Sequence, residues 1–149
     1  MVSGENVAHI TVGLGVKSIA VDRKVTIMLA DDDPEALKRS VGALEGAGFR
    51  VVSTTDGRTA LQEALGRKVD LIIMDVSISQ LSGVETCHCL KAMPKTQKIP
   101  VVLTAAKKDP AAKALAERTH GSVRVLRKPF TNEDLVSLAR RLVRPKSLI

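Results

Sequence analysis

Apolar residues in this chain gather in five short runs, and between the runs they recur at helical spacing. Val25–Ala30 is a continuous apolar run, as expected of a strand covered on both faces. Asp33 then offers an N-cap with Pro34 at the first helical position, and Leu37, Val41 and Leu44 mark one helix face until Gly46 and Gly48. Phe49–Ser53 reads as a second strand, Asp56-Gly57 as a turn, and Thr59 to Leu65 as a helix ending at Gly66. Val69–Met74 is a third strand, Gly83–Met93 a helix closed before Pro94, and Ile99–Thr104 a fourth strand. A helix over Pro110–Arg118 and a strand over Ser122–Leu126 come next. The last helix is capped by Thr131 with Asp134 three residues on, and carries the stripe Leu135, Leu138, Ala139 and Leu142.

Strands that alternate with helices predict an α/β fold: a doubly wound five-stranded parallel sheet with helices on both faces. Right-handed crossovers and a strand order of 2-1-3-4-5 place the ends of the first and third strands side by side at the topological switch point. Residues 25–144 form this domain, followed by a short tail, 145–149. Residues 1–24, with glycines at positions 4, 13 and 15 and no helical period, read as an N-terminal extension that could hold a short extra strand.

Composition adds little to the fold and more to the setting. A chain of 149 residues, 44% hydrophobic and 26% charged, suits one soluble domain. It lacks an apolar stretch approaching the roughly 18 residues of a membrane span and a signal pattern, so a cytoplasmic protein is expected. Cys87 and Cys89 flank His88, but consecutive helical positions point about 100° apart and do not close on one ion, so they read as reduced thiols. The net charge of +7 is uneven. Residues 1–104 balance at 12 basic and 12 acidic, whereas residues 105–149 hold 11 and 4. That excess is either a solvated set of helix faces or a docking surface for an acidic partner.

The chemistry lies at the strand ends. Asp31-Asp32-Asp33 follows the first strand and Asp75 the third, so the switch point should bring Asp31, Asp32 and Asp75 together. Hard oxygen ligands of this kind suit Mg²⁺. Thr104 closes the fourth strand and Lys128-Pro129-Phe130 follows the fifth, adding a hydroxyl and an ammonium to the same rim. An aspartate beside Mg²⁺ can act as a nucleophile toward phosphorus, with the cations offsetting charge on the transferred oxygens.

Together these residues resemble the receiver domain of two-component response regulators, a flavodoxin-like fold. The similarity covers about residues 24–144 and rests on Asp31-Asp32-Asp33-Pro34, Asp75 with Gly83 eight residues later, Thr104-Ala105, and Lys128-Pro129-Phe130. It implies that Asp75 accepts a phosphoryl group from a histidine kinase or phosphotransfer protein. Asp31, Asp32, Asp75 and the backbone carbonyl of Ser77 would hold Mg²⁺, and Asp33 would be the N-cap. Thr104 would move toward the phosphoryl oxygens, Lys128 would pair with Asp75 or its phosphate, and the Lys128–Pro129 bond would be cis. The protein would be a phosphoacceptor rather than an enzyme. With about Arg144 to Ile149 left after the last helix, it would act as a stand-alone receiver through surface contacts. The face of the fourth helix, fifth strand and last helix, within the basic third, would bind an acidic protein rather than nucleic acid.

Two positions depart from the family. Val125 stands where an aromatic usually precedes the lysine by three residues, so an aromatic rotamer cannot couple to the threonine. Ser79 replaces a proline common in the loop after the acceptor, which should leave that loop less restricted. These departures keep a non-phosphorylated scaffold as an alternative. Asp31 and Asp33 also form a DxD pair reminiscent of haloacid-dehalogenase-type phosphatases. That family needs a further acidic pair after its lysine, and Glu133 and Asp134 fit helix capping better.

Overall fold

The apolar runs pair as a parallel sheet. The computed structural model describes residues 6–12, 15–21, 24–106, 108–119 and 122–143, the first two segments by their backbone. Strands β1 (Asn6–Val12) and β2 (Gly15–Val21) precede β3 (Thr26–Ala30), α1 (Pro34–Gly46), β4 (Arg50–Thr54), α2 (Gly57–Gly66) and β5 (Leu71–Asp75). They are followed by α3 (Gly83–Ala92), β6 (Val101–Ala106), α4 (Pro110–Arg118), β7 (Val123–Lys128) and α5 (Asn132–Leu142). The sheet order is β4-β3-β5-β6-β7 with every pair parallel. Counted from the first strand of the domain, this is the order 2-1-3-4-5.

The pleat sorts each central strand between two layers. Ile27, Leu29, Leu71, Ile73 and Val102 meet Leu44 of α1 and Leu135, Leu138 and Ala139 of α5. Met28, Ile72, Met74, Val101 and Leu103 face the other way, onto Ala60 and Ala64 of α2, Leu90 of α3, and Ala112 and Leu115 of α4. All ten residues of β3 and β5 are buried, which is why these strands read as unbroken apolar runs. The outer strands β4 and β7 carry exposed residues, including Arg50 and Arg124, as edge strands do.

Most element boundaries differ from the sequence reading by one or two residues. The helix expected from Thr59 begins at Gly57, because the Asp56 side chain accepts from the Thr59 backbone N–H and acts as its N-cap. The fourth strand begins two residues later than expected, at Val101, after Pro100. Ahead of the domain, β1 and β2 form an antiparallel hairpin, a sheet of its own, with register from Asn6↔Val21 to Val12↔Gly15. The sequence pattern suggests one extra strand there; the second is its hairpin partner. The tail 145–149 lies outside the described residues.

Candidate functional site

Three strand ends build one small polar cluster. Asp31 follows β3 and is held by its own backbone, whose N–H donates to the Thr54 carbonyl at 3.1 Å, while its Oδ1 accepts from the Asp33 N–H at 2.9 Å. Asp33 in turn caps α1, accepting from the Glu35 N–H at 3.1 Å. Asp75, the last residue of β5, is 6% exposed. Its Oδ1 accepts from the Ser77 N–H and hydroxyl, each at 2.9 Å, and its Oδ2 from the Lys128 ammonium at 2.5 Å. The same ammonium is 3.6 Å from Asp31 Oδ2. Lys128 reaches this point from the end of β7, and the Lys128–Pro129 bond is cis.

Thr104 lies beside the acceptor candidate. It is the register partner of Asp75 across β5 and β6, its carbonyl accepts from the Val76 N–H at 2.9 Å, and it is buried. At the other end of the acceptor loop, Gly83 packs its backbone against the Asp75–Val76 segment. A Cβ at position 83 would fall 2.6 Å from the Asp75 carbonyl oxygen and 2.7 Å from Val76 Cα. The glycine eight residues after Asp75 thus permits α3 to start directly behind the site.

The electrostatics follow from burial and from the lysine. Burial pushes Asp75 up, but the Lys128 ammonium and the two Ser77 donors outweigh it and hold the carboxyl below the ordinary range. Asp31 goes the other way: burial dominates, and the backbone donor and Lys128 do not fully offset it. Burial alone would lower Lys128, yet its hydrogen bond to Asp75 and the nearby carboxylates raise it. The cluster therefore holds one fully charged lysine between two carboxylates of unequal acidity.

The three expected carboxylates differ in exposure. Asp31 and Asp75 share Lys128, but Asp32 occupies the bend after β3 and is exposed. Among the described residues, no three His, Cys, Asp or Glu side chains stand in a metal-holding group. The hydrogen bond from the Asp33 N–H to Asp31 Oδ1 closes a tight turn over Asp32. Ser77, expected to contribute a carbonyl, donates its N–H and hydroxyl to Asp75. In the loop carrying Ser79, the Ser79 carbonyl accepts from the Gly57 N–H at 3.0 Å and Asp56 bridges to Ser79.

Two contributors escape a reading of the sequence. Arg127 donates through one guanidinium nitrogen to the carbonyls of Ala106 and Asp109, both at 2.8 Å, tying β7 to the segment after Thr104. Gly57 meets the acceptor loop across two turns. Neither carries a motif of its own, although the Asp56-Gly57 turn signal marks where to look.

The fold is thus a doubly wound α/β domain whose switch point holds two carboxylates, with a lysine and a threonine from neighbouring strands. Residues 27–140 match the response regulator receiver domain, and the chain belongs to that family. It is 33% identical over 118 residues to the transcriptional regulatory protein CpxR of Escherichia coli K12, covering 79% of this chain and 49% of CpxR. The chain spans about half the length of the curated relatives it matches. Among solved structures, the chemotaxis response regulator CheY4 of Vibrio cholerae superposes with a TM-score of 0.72 at 24% identity, over 79% of this chain and 98% of CheY4. The receiver domain of the Pseudomonas aeruginosa sensor histidine kinase PA1611 does so with a TM-score of 0.73 at 22% identity, over 81% and 98%. That structure carries a magnesium ion coordinated in its active site cleft. Both likenesses concern the fold.

Proposed function

We propose that this domain takes a phosphoryl group on Asp75 from the phosphohistidine of a histidine kinase or phosphotransfer protein, and thereby changes which protein it binds. The observation that carries the reading is the Lys128 ammonium placed 2.5 Å from Asp75 Oδ2 and 3.6 Å from Asp31 Oδ2. In the transfer, an Asp75 carboxylate oxygen forms the new P–O bond as the donor's P–N bond breaks, and the electron pair stays on the leaving imidazole. Keeping Asp75 ionised, as Lys128 and Ser77 do, keeps that oxygen nucleophilic. Lys128 then pairs with the added phosphoryl oxygens, and Thr104, in register with Asp75, supplies a hydroxyl to one of them.

The donor chemistry fits Mg²⁺. Asp31 and Asp75 are hard oxygen donors beside a solvent-facing third carboxylate, Asp32, with no sulfur or imidazole in the cluster. Asp31, Asp32, Asp75 and the Ser77 carbonyl would hold the ion. Bound there, it would offset negative charge on the phosphoryl oxygens.

The reading stops at a phosphoacceptor and not at a turnover enzyme. Asp134, the later acid a phosphatase reading needs, is committed to the α5 capping box: it accepts from the Thr131 N–H at 3.1 Å, and its own N–H donates to Thr131 Oγ at 3.0 Å. A scaffold without phosphorylation is the second reading, favoured by Val125, which packs as an apolar contact where the family usually places an aromatic.

The output surface we infer is α4, β7 and α5, where Lys113, Arg118, Arg124, Arg140 and Arg141 are exposed. Its sign suits an acidic protein surface. The DNA binding named for the relative MtrA belongs to a longer protein, half of which the match covers, and for these 149 residues the reading is limited to the receiver step and a change of protein partner. No helix among the described residues is long and apolar enough to cross a membrane.

Intact-mass measurement after incubation with acetyl phosphate and Mg²⁺ tests the central reading. One stable phosphoryl addition to the wild type and none to Asp75→Asn is expected. Addition to both refutes Asp75 as acceptor, and addition to neither leaves the scaffold reading.

A further inference from the structure

The loop after Asp75 is held down from outside by the start of α2. The Ser79 carbonyl accepts two hydrogen bonds, from the Gly57 N–H at 3.0 Å and from the Leu81 N–H at 2.9 Å. The second closes a γ-turn centred on Gln80, whose φ of 72° is the sole positive value at a non-glycine position among the described residues. Such a conformation costs energy in a residue with a Cβ and persists only where its surroundings impose it. Here the imposing contact is close. A Cβ on Gly57 would fall 1.8 Å from the Leu81 carbonyl oxygen and 2.8 Å from Thr86 Oγ1, and that hydroxyl in turn donates to the Leu81 carbonyl at 3.3 Å. Asp56 bridges to Ser79 while its carboxylate, accepting from the Thr59 N–H and hydroxyl at 2.7 and 2.9 Å, fixes the first turn of α2. Position 57 therefore has room for hydrogen alone, and the strained turn rests directly on it.

We propose that Gly57 and Gln80 form a latch that sets the conformation of residues 76–82 and, through Ser77, the rate at which Asp75 gains and loses a phosphoryl group. Both are positioning residues: neither touches Asp75, but they brace the segment whose Ser77 N–H and hydroxyl hold Asp75 Oδ1. The latch takes over the restraint that a proline at position 79 would otherwise give. It also links the acceptor loop to α2, so a partner that shifts the start of α2 would change phosphoryl exchange without reaching the carboxylates. This inference rests on Asp75 being the acceptor.

The test compares wild type, Gln80→Gly and Gly57→Ala in the full chain. It measures amide hydrogen exchange at Gly57, Ser77 and Leu81 without phosphodonor, the rates of Asp75 phosphorylation by acetyl phosphate with Mg²⁺ and of its hydrolysis, and the urea midpoint. Gln80→Gly removes the strain, so its midpoint should hold or rise while loop exchange quickens and at least one phosphoryl rate changes severalfold. A purely structural role would not separate stability from rate in this way. Gly57→Ala must displace the Leu81 carbonyl and should change the rates further; where it fails to fold, Gln80→Gly decides alone. Wild-type phosphoryl rates in Gln80→Gly would overturn the latch. A wild type that takes no phosphoryl group would instead remove the acceptor reading, and the latch with it.

Discussion

Lys128 and Asp75, 53 positions apart in sequence, form an ion pair 2.5 Å long at the carboxyl edge of the sheet. The pair is partly exposed, with the Lys128 side chain 35% accessible and that of Asp75 8%. Lys128→Met would leave Asp75 and Asp31 facing each other without a countercharge. A loss of about 1–2 kcal/mol in urea unfolding at neutral pH is expected, below the ~3–5 kcal/mol for a fully buried pair because water screens the lysine. The Asp75 carboxyl should titrate at higher pH in the variant, as carboxyl ¹³C shifts would record, and phosphorylation by acetyl phosphate should slow. Unchanged titration of Asp75 would show that the pair does not set its charge.

Asp31 is displaced the opposite way, so its substitution should have the opposite sign. Its folded value is raised above the ordinary 3.8, chiefly by burial, so the folded state favours its protonated form. That stabilisation is complete below 3.8 and is lost as pH rises through the folded value; ionised Asp31 contributes none of it at neutral pH. Asp31→Asn keeps an Oδ1 to accept from the Asp33 N–H and removes the charge. Urea unfolding should show the variant more stable than wild type at about pH 7, by about 0.5–1 kcal/mol after discounting for solvent, with the gain vanishing near about pH 3. The same variant should lose Mg²⁺-dependent phosphorylation. Asp75, whose folded value is lowered, contributes stability above 3.8 that disappears as pH falls through the folded value.

Two glycines give a paired test of packing. Gly83→Ala puts a methyl 2.6 Å from the Asp75 carbonyl oxygen, a contact with rigid backbone. Thermal unfolding should show a loss of about 1–3 kcal/mol, as for overpacked sites. Gly42 lies in α1, where a Cβ would have nothing within 4 Å, and Gly42→Ala should stabilise by about 0.5–1 kcal/mol through helix propensity. A stabilised Gly83→Ala would mean that the start of α3 can shift freely behind the acceptor.

What can be read in the chain and what cannot divide along physical lines. The apolar runs of β3 and β5 announce strands because both faces of each are buried, and their acidic ends announce a rim because strand ends in this topology share one edge. Asp31, Asp75, Thr104 and Lys128 follow from that logic. The exposure of Asp32 does not, because it sits in a turn closed by the hydrogen bond from Asp33 to Asp31. The restraint on Ser79 is invisible in sequence for a similar reason: a missing proline is a local signal, whereas the Gly57 contact joins turns more than 20 positions apart through tertiary packing. The β1–β2 pairing is half legible, since residues 1–24 lean toward strand but carry no register signal.

Arg127 supplies the remaining prediction. The absence of an aromatic at position 125 leaves the question of what connects the segment after Thr104 to β7. One nitrogen of Arg127 donates to the Ala106 and Asp109 carbonyls at 2.8 Å each, and the Asp109 N–H donates to the Ala106 carbonyl at 3.1 Å. Asp109 is also the N-cap of α4, accepting from the Ala111 N–H at 2.8 Å. A single guanidinium thus fixes the exit of β6 and the entry of α4 together. Arg127→Met retains much of the apolar stem and deletes both donors. It should cost about 0.5–1.5 kcal/mol per bond at most, and less here because both carbonyls can turn to water. The informative readout is local. Amide exchange at Asp109 and Ala111 should quicken, while amides of β5 and α5 keep wild-type protection. If Thr104 signals to the basic face through this connection, the variant should also lose the difference in partner affinity between the phosphorylated and unphosphorylated states while still accepting phosphate on Asp75.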